Sequence, residues 1–274
     1  MPRLRGTVQS RNEEIGSVSH TNNSNVNGKF ITDVQSRKAL VGIVGLGYVG
    51  LPLARTFCGA GFRVLGLDVD PVKVKKLNAG KSYIKHIPSS LFSRLVKEKK
   101  FKATTNPRDL RRCSAIIICV PTPLTKMRDP DMSFVTGTAE MLAPHLQRGQ
   151  LITLESTTYP GTTRDLVKPI LEKSGLKVEK DFFLAYSPER EDPGRVDFST
   201  ETIPKVVGAI GPKSLKAATA LYSTAISEVV ATSSCEVAEC SKILENVYRC
   251  VNIALINELA ILFRKLDLDT EDVL

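Results

Sequence analysis

The sequence of 274 residues has no tryptophan, three histidines and four methionines, and aromatic residues make up only 6% of it. With so few rings, and no basic stripe interleaved with them, the net charge of +9 does not describe a nucleic-acid surface; it suits an anionic small molecule. Six cysteines stand at 58, 113, 119, 235, 240 and 250, and no two form a C-x-x-C pair. Together with the scarcity of histidine, this removes the spacings of a zinc site, and no metal is expected. The cysteines read as reduced, mostly buried thiols of a cytoplasmic protein. No apolar run reaches the roughly 20 residues of a bilayer span. The longest buried-looking run, "AIIICV" at 115–120, is strand-sized. The basic first residues lack the apolar stretch of a secretory signal. No membrane partner is expected.

Hydrophobic residues make up 42% of the chain, enough for a large core in one or two domains. Residues 1–37, rich in Asn, Ser and Thr, read as a disordered tail. From Ala39 onward strand and helix signals alternate. "ALVGIVGLG" is a buried strand entering a glycine turn, "VGLPLARTFCGAG" a helix ended by glycine, and "FRVLGLDVD" a second strand. "DPVKVKKLNAG" is a helix capped by Asp70 with Pro71 in its first turn. Further strands are expected at 114–120, 150–155, 182–186, 204–208 and 227–231, with helices at about 133–145, 162–174 and 213–223. Continuous apolar strands alternating with helices predict an α/β fold: a Rossmann-like, doubly wound, mostly parallel sheet. It is followed by one long helix from about 234 to 265, too long for a crossover, whose apolar spacing suits a spine between domains or a dimer interface. "DLDTEDVL" opens another helix, and the chain reads as cut inside it.

"GLGYVG" supplies G-x-G-x-x-G at Gly45, Gly47 and Gly50. It follows a strand, opens a helix and precedes Asp68 at the end of the next strand. That context makes it a dinucleotide fingerprint. Gly45 makes the turn, Gly47 admits the pyrophosphate, and Gly50 lets helix and strand pack closely; Tyr48 and Val49 complete the cradle. Asp68 accepts from ribose hydroxyls and repels a 2′-phosphate, so NAD is favoured over NADP, although Lys73 nearby softens the preference. In "CVPTPLT" Thr122 ends a strand where it can meet the cofactor or serve as a turn hydroxyl. In "LESTTYPGTTRD" Ser156, Thr157 and Thr158 can hold a phosphate, a sugar or a water, or cap the next helix. In "YSPEREDPG" Glu189 can act as a base and Arg190 can clamp a phosphate, or both can belong to a solvated turn. On the long helix, Lys242 and Asn246 lie one turn apart: a solvated edge, or a cation and amide aimed at a reacting group.

Together these stretches resemble the UDP-glucose/GDP-mannose dehydrogenase family from about Leu40 to the C-terminus. "SYIKHIP", "ICVPTPLT", "ESTTYPGTT" and "YSPEREDPG" are most similar to its UDP-N-acetylglucosamine 6-dehydrogenase branch. The resemblance implies a UDP-sugar substrate whose primary alcohol is oxidised to a uronic acid by two hydride transfers to NAD, through a cysteine thioester. By the same resemblance Thr157 helps hold the catalytic water, Glu189 does acid/base work, Lys242 stabilises oxyanions, and Asn246 is its partner amide. It also implies that Glu189, Arg190, Lys242 and Asn246 meet the substrate, and that the intact enzyme is a homodimer. The second glutamate of the UDP-glucose branch falls at Pro193. The family's cysteine nucleophile sits in a "GGHC" segment that this sequence does not reach, so none of the six cysteines is assigned that role; Cys240 and Cys250 read as helix-packing residues.

The expected organisation is therefore a tail over 1–37, an NAD-binding domain over 38–232, and the start of a central helical domain over 233–274, without the UDP-binding domain. A UDP-glucose, UDP-N-acetylmannosamine or GDP-mannose enzyme is the rival within the class. A non-catalytic NAD-binding or interaction module is the rival outside it.

Overall fold

The computed structural model describes residues 23–84, 87–189 and 203–274. The chain opens with α1 (Asn23–Gln35), then builds β1 (Leu40–Val44), α2 (Gly50–Gly59), β2 (Arg63–Leu67), α3 (Pro71–Asn78), α4 (Ser89–Lys97) and β3 (Phe101–Thr104). It continues through β4 (Ala115–Ile118), α5 (Ser133–Leu142) and β5 (Leu151–Leu154). A π-helical segment (Thr162–Val167) runs into α6 (Lys168–Glu172), followed by β6 (Phe183–Tyr186), β7 (Lys205–Ala209), α7 (Pro212–Tyr222) and β8 (Val229–Ala231). The long α8 (Cys235–Lys265) and the short α9 (Thr270–Val273) complete it.

The eight strands form one sheet in the order β3-β2-β1-β4-β5-β6-β7-β8. The first six in that order are parallel to their neighbours, as uninterrupted apolar strands joined by helical crossovers require. Two cores lie on its two faces. One gathers Ile43, Leu51, Phe57, Phe92 and Leu221; the other gathers Ile118, Val135, Leu154, Leu171 and Tyr186. The chain winds from β1 to β2 and β3 on one side, then returns to β4 on the other, so β1 and β4 are neighbours whose following loops diverge. This is the switch point of a doubly wound sheet.

Two expectations need correction. Residues 23–35, read as part of a disordered tail, form α1. Phe30 and Val34 lie one turn apart and are both buried, with 3% and 0% exposure. Phe30 meets Phe183 edge-on at 6.1 Å. Arg37 closes the join, donating from Nε to the Ala60 carbonyl at 2.9 Å with its guanidinium over the Phe62 ring. Phe30 and Val34, with half-buried Ile31 packed beside them, outweigh a polar composition. The second correction concerns Cys240 and Cys250 of α8. Of its residues Cys235, Ala238 and Glu239 are buried, whereas Leu244, Val247, Tyr248, Val251 and Leu255 are each more than half exposed. Cys240 and Cys250 are likewise exposed rather than packed, because the helix leaves the domain after its first turns. By length and composition α8 is also the one helix among the described residues apolar enough to cross a membrane, although its root is built into the sheet.

β7 runs antiparallel to β6. Its first residue, Lys205, therefore arrives at the edge where the parallel strands end, beside Glu155 at the end of β5. Lys205 Nζ lies 2.8 Å from Glu155 Oε2, and the two side chains are 6% and 0% exposed. The Tyr222 hydroxyl donates to the other carboxylate oxygen, and the Lys205 ammonium lies 5.3 Å from the Tyr222 ring centre. Burial disfavours charge on both partners. On Lys205 the attraction of the Glu155 and Glu189 carboxylates outweighs it, so the ammonium holds its proton more firmly than usual.

Two stability outcomes are expected. Phe30→Ala should cost about 3 kcal/mol, seen as a lower urea midpoint at unchanged slope; a wild-type midpoint would mean that α1 does not dock. Lys205→Met strands a buried carboxylate and should cost about 3–5 kcal/mol, most of it recovered in the Glu155→Leu/Lys205→Met double variant. A double variant no more stable than the single one would show that the pair's attraction does not decide the cost.

Candidate active site

The glycine turn lies between the end of β1 and the start of α2, packed against the strand across the switch point. Gly45 has φ +91°, and a side chain there would come within 2.6 Å of the Cys119 carbonyl oxygen. At Gly50 a Cβ would strike the Gly45 carbonyl. Both glycines are required by the chain's own geometry. Gly47 differs: a Cβ there would meet nothing, so the backbone faces open space. No side chain caps α2, since Val49 occupies the cap position, which leaves its amino end to an anion or to water.

Asp68 lies beside this turn. Its Oδ2 accepts the Leu46 N–H at 2.9 Å, and its Oδ1 accepts the Asp70 N–H at 3.0 Å. Lys73 Nζ is 3.5 Å from Oδ2. An ionised carboxylate offers about four acceptor positions, so these contacts leave room for a hydroxyl. The Tyr83 hydroxyl, from "SYIKHIP", donates to the Leu46 carbonyl and braces the turn from the other side. Burial, with Asp68 and Asp70 nearby, pushes that phenol well above its ordinary range, so it remains a donor.

A crevice of about 640 Å³ opens from here along the carboxyl edge of the sheet, within the range of small-ligand sites. Gly45, Gly47, Tyr48, Val49, Asp68 and Lys73 line one end, Thr122 the middle, and Thr157, Glu189 and Lys242 the other end. Ser156 stands beside Thr157 but spends its hydroxyl on the Val120 carbonyl at 2.7 Å, tying the loops after β4 and β5 together. Lys242 Nζ donates to the backbone carbonyl of Glu189. Residues from five separate strand ends and one distant helix are thus brought to a single cavity.

Among the described candidates Gly50, Thr158 and Asn246 are absent from its lining, and Thr158 is buried. Gly50 lies behind the turn and acts in packing. Asn246 is exposed and absent from the crevice lining, one helical turn beyond Lys242 on the part of α8 that has left the domain. Arg190 lies outside the described residues.

Glu155, which lines the crevice, and its partners Lys205 and Tyr222 are not legible as site residues in the sequence. A charge next to an otherwise apolar strand is the signal that Glu155 and Lys205 share. Their pairing was not visible, because it depends on the reversed direction of β7. Glu239 was missed for a similar reason: it reads as one charge among several on a long helix. It is fully buried and bound to the turn before α6.

The dinucleotide cradle fits the residues present: an open approach at Gly47, an uncapped helix and a carboxylate at the turn. Comparison with known proteins agrees. Residues 39–226 match the UDP-glucose/GDP-mannose dehydrogenase family, NAD binding domain, and residues 236–274 match the central domain of that family. The chain is 41% identical over 236 residues to Protein CapL of Staphylococcus aureus, covering 85% of this chain and 54% of that protein. It is 39% identical over 236 residues to UDP-N-acetyl-D-glucosamine 6-dehydrogenase of Pseudomonas aeruginosa, covering 85% of this chain and 55% of that protein. Among solved structures, UDP-D-ManNAc dehydrogenase from Pyrococcus horikoshii superposes with a TM-score of 0.80 at 33% identity, covering 85% of this chain and 56% of that one. The chain spans about half the length of the curated relatives it matches. It belongs to the UDP-glucose/GDP-mannose dehydrogenase family, of which it carries the NAD-binding domain and the matched part of the central domain.

Proposed function

We propose that the protein carrying this chain is an NAD-dependent nucleotide-sugar 6-dehydrogenase that oxidises UDP-N-acetylglucosamine to its uronic acid. The observation that carries this reading is the continuity of one crevice from the glycine turn and Asp68 to Thr157, Glu189 and Lys242. NAD, when bound, supplies the hydride acceptor. The chain's own residues supply the rest. Gly47 leaves its backbone open to the pyrophosphate, Asp68 takes a ribose hydroxyl, and Lys73, Tyr48, Val49, Thr122 and Thr157 flank the dinucleotide. The Lys242 ammonium lowers the cost of negative charge on the substrate oxygen as the alcohol is oxidised, because a fixed cation in a sheltered cleft needs no reorganisation. Glu189 moves the proton during hydrolysis, with Thr157 orienting the water. Arg190 and Asn246 belong to the substrate side of the same reading.

The choice of sugar draws on "SYIKHIP", "ESTTYPGTT" and "YSPEREDPG" and on the Pseudomonas aeruginosa relative. UDP-N-acetylmannosamine is the rival, named for the Pyrococcus horikoshii structure. The reading also includes a cytoplasmic homodimer, supported by the apolar face of α8.

The full-length protein should release two NADH per UDP-N-acetylglucosamine consumed, faster than with UDP-N-acetylmannosamine, UDP-glucose or GDP-mannose. No turnover of any of the four would refute the assignment, and a faster rate on another sugar would reassign the substrate. Lys242→Met should lower kcat by about 10²–10³-fold. In the 274-residue chain, calorimetric titration should show NAD binding, weakened about tenfold by Asp68→Asn; unchanged affinity would remove Asp68 from the site.

A further inference from the structure

Glu239 is 0% exposed, lies on the second turn of α8, and has no part in the chemistry proposed above. Its Oε2 accepts the Gly161 N–H at 2.7 Å. Its Oε1 accepts the Thr163 N–H at 2.9 Å and the Thr163 hydroxyl at 2.7 Å. All three donors belong to the turn that opens the π-helical segment, where Gly161 occupies the cap position and has no side chain to offer. A carboxylate from a distant helix therefore caps this one. Glu236 adds an ion pair to Arg164 on the same turn, which holds its carboxyl down at about 2.

This attachment joins two walls of the crevice. The capped turn follows Thr157 by four residues, so holding Gly161 and Thr163 holds the loop that carries Thr157. On α8, helical spacing continues the buried face of Cys235, Ala238 and Glu239 to Lys242, whose ammonium reaches the Glu189 carbonyl. An apolar residue at 239 would leave three donors without an acceptor. Cys235 and Ala238 are small side chains seated close to β7 at Gly208, and Glu239 adds the directional contacts to the 161–163 turn.

We propose that Glu239 is a positioning residue: it locks the root of α8 to the 161–163 turn and thereby sets where Lys242 stands relative to Thr157. The consequence for catalysis rests on the role proposed for Lys242; the geometry is testable without it. A cap that served only stability would lower the unfolding midpoint yet leave Lys242 in place once the chain is folded. Two readouts of the folded 274-residue chain, taken without sugar or dinucleotide, separate the cases. One is the rate at which Lys242 is acetylated by a soluble ester, read by peptide mass spectrometry against the other lysines. The other is the spin-label distance distribution between Cys250 and a cysteine introduced at exposed Lys97, with Cys240→Ser removing the second exposed thiol of α8.

Glu239→Gln keeps the volume but gives one of the donors an amide NH₂ to face. It should raise the Lys242 acetylation rate about tenfold, the effect of losing one charge-assisted hydrogen bond, and broaden the distance distribution. Thr163→Val, which removes a single donor, should move both readouts in the same direction by less, and it decides the matter if Glu239→Gln does not fold. A folded variant with wild-type acetylation and an unbroadened distribution overturns the proposal. Absence of sugar turnover in the full-length protein would sink the proposed function and leave this result standing.

Discussion

The close approach of the Gly45 turn to the Cys119 carbonyl is the constraint on which the rest of the site depends. β1 and β4 are hydrogen-bonded neighbours, with the Cys119 N–H donating to Val44 at 2.8 Å, yet the chain leaves them in opposite directions. A crevice opens there only if the turn after β1 stays small enough to let the loop after β4 pass. Gly45 satisfies this with a left-handed φ, and Gly50 with the absence of a Cβ. Any side chain at either position would push the turn into the space that Gly47, Asp68 and Thr122 now share. The diphosphate cradle and the nearness of two strand ends are thus one geometric fact.

The far end of the crevice is built on a different principle. There the sheet reverses, and the reversal carries Lys205 to the edge at which the parallel strands finish. Continued beyond the paired residues, the register of β6 and β7 sets Lys205 opposite Glu189. One ammonium therefore faces two carboxylates, one in the floor and one in the wall. Replacing such a pair with apolar residues often costs a fold little, so its presence is weak evidence of stabilisation. What the pair does provide is direction. A charged partner with fixed hydrogen bonds, reached across β6, favours one register of β7 on β6, where an apolar contact would tolerate several.

The sequence made the first end of the site legible and left much of the second obscure. Glycine spacing, the capped helix at Asp70 and the acidic residue at 68 are local signals, and each reports a local requirement. Thr157, Glu189 and Lys242 stand out only through their resemblance to family motifs, since on composition a charged turn and a helix edge look solvated. Glu155, Lys205 and Glu239 are invisible locally because each acquires meaning from a partner 50 or more residues away. The 3-10 turn at Pro107–Arg112 is too short for periodicity to register, and β3, interrupted by exposed Lys102, lacks the uninterrupted apolar run that marks the equally short β4. α1 was hidden by the opposite effect: a window of polar composition masked the spacing of Phe30, Ile31 and Val34.

The exposed length of α8 bears on how accurately the site can be set. At 1.5 Å per residue the helix runs about 39 Å beyond Glu239, so tilting it by roughly 10° at its root would swing the far end by about 7 Å. The same tilt moves the backbone at Lys242 by less than about 1 Å, because that residue lies within one turn of the pivot. Misplacement of about 1 Å is enough to cost a catalytic group on the order of 10²-fold. An arm anchored at its tip would pass every flexure on to the crevice. Anchored at Glu239, it can bend along its apolar length while the ammonium stays in register. The buried hydrogen bonds of Glu239 accordingly lie within one turn of the ammonium whose place they set.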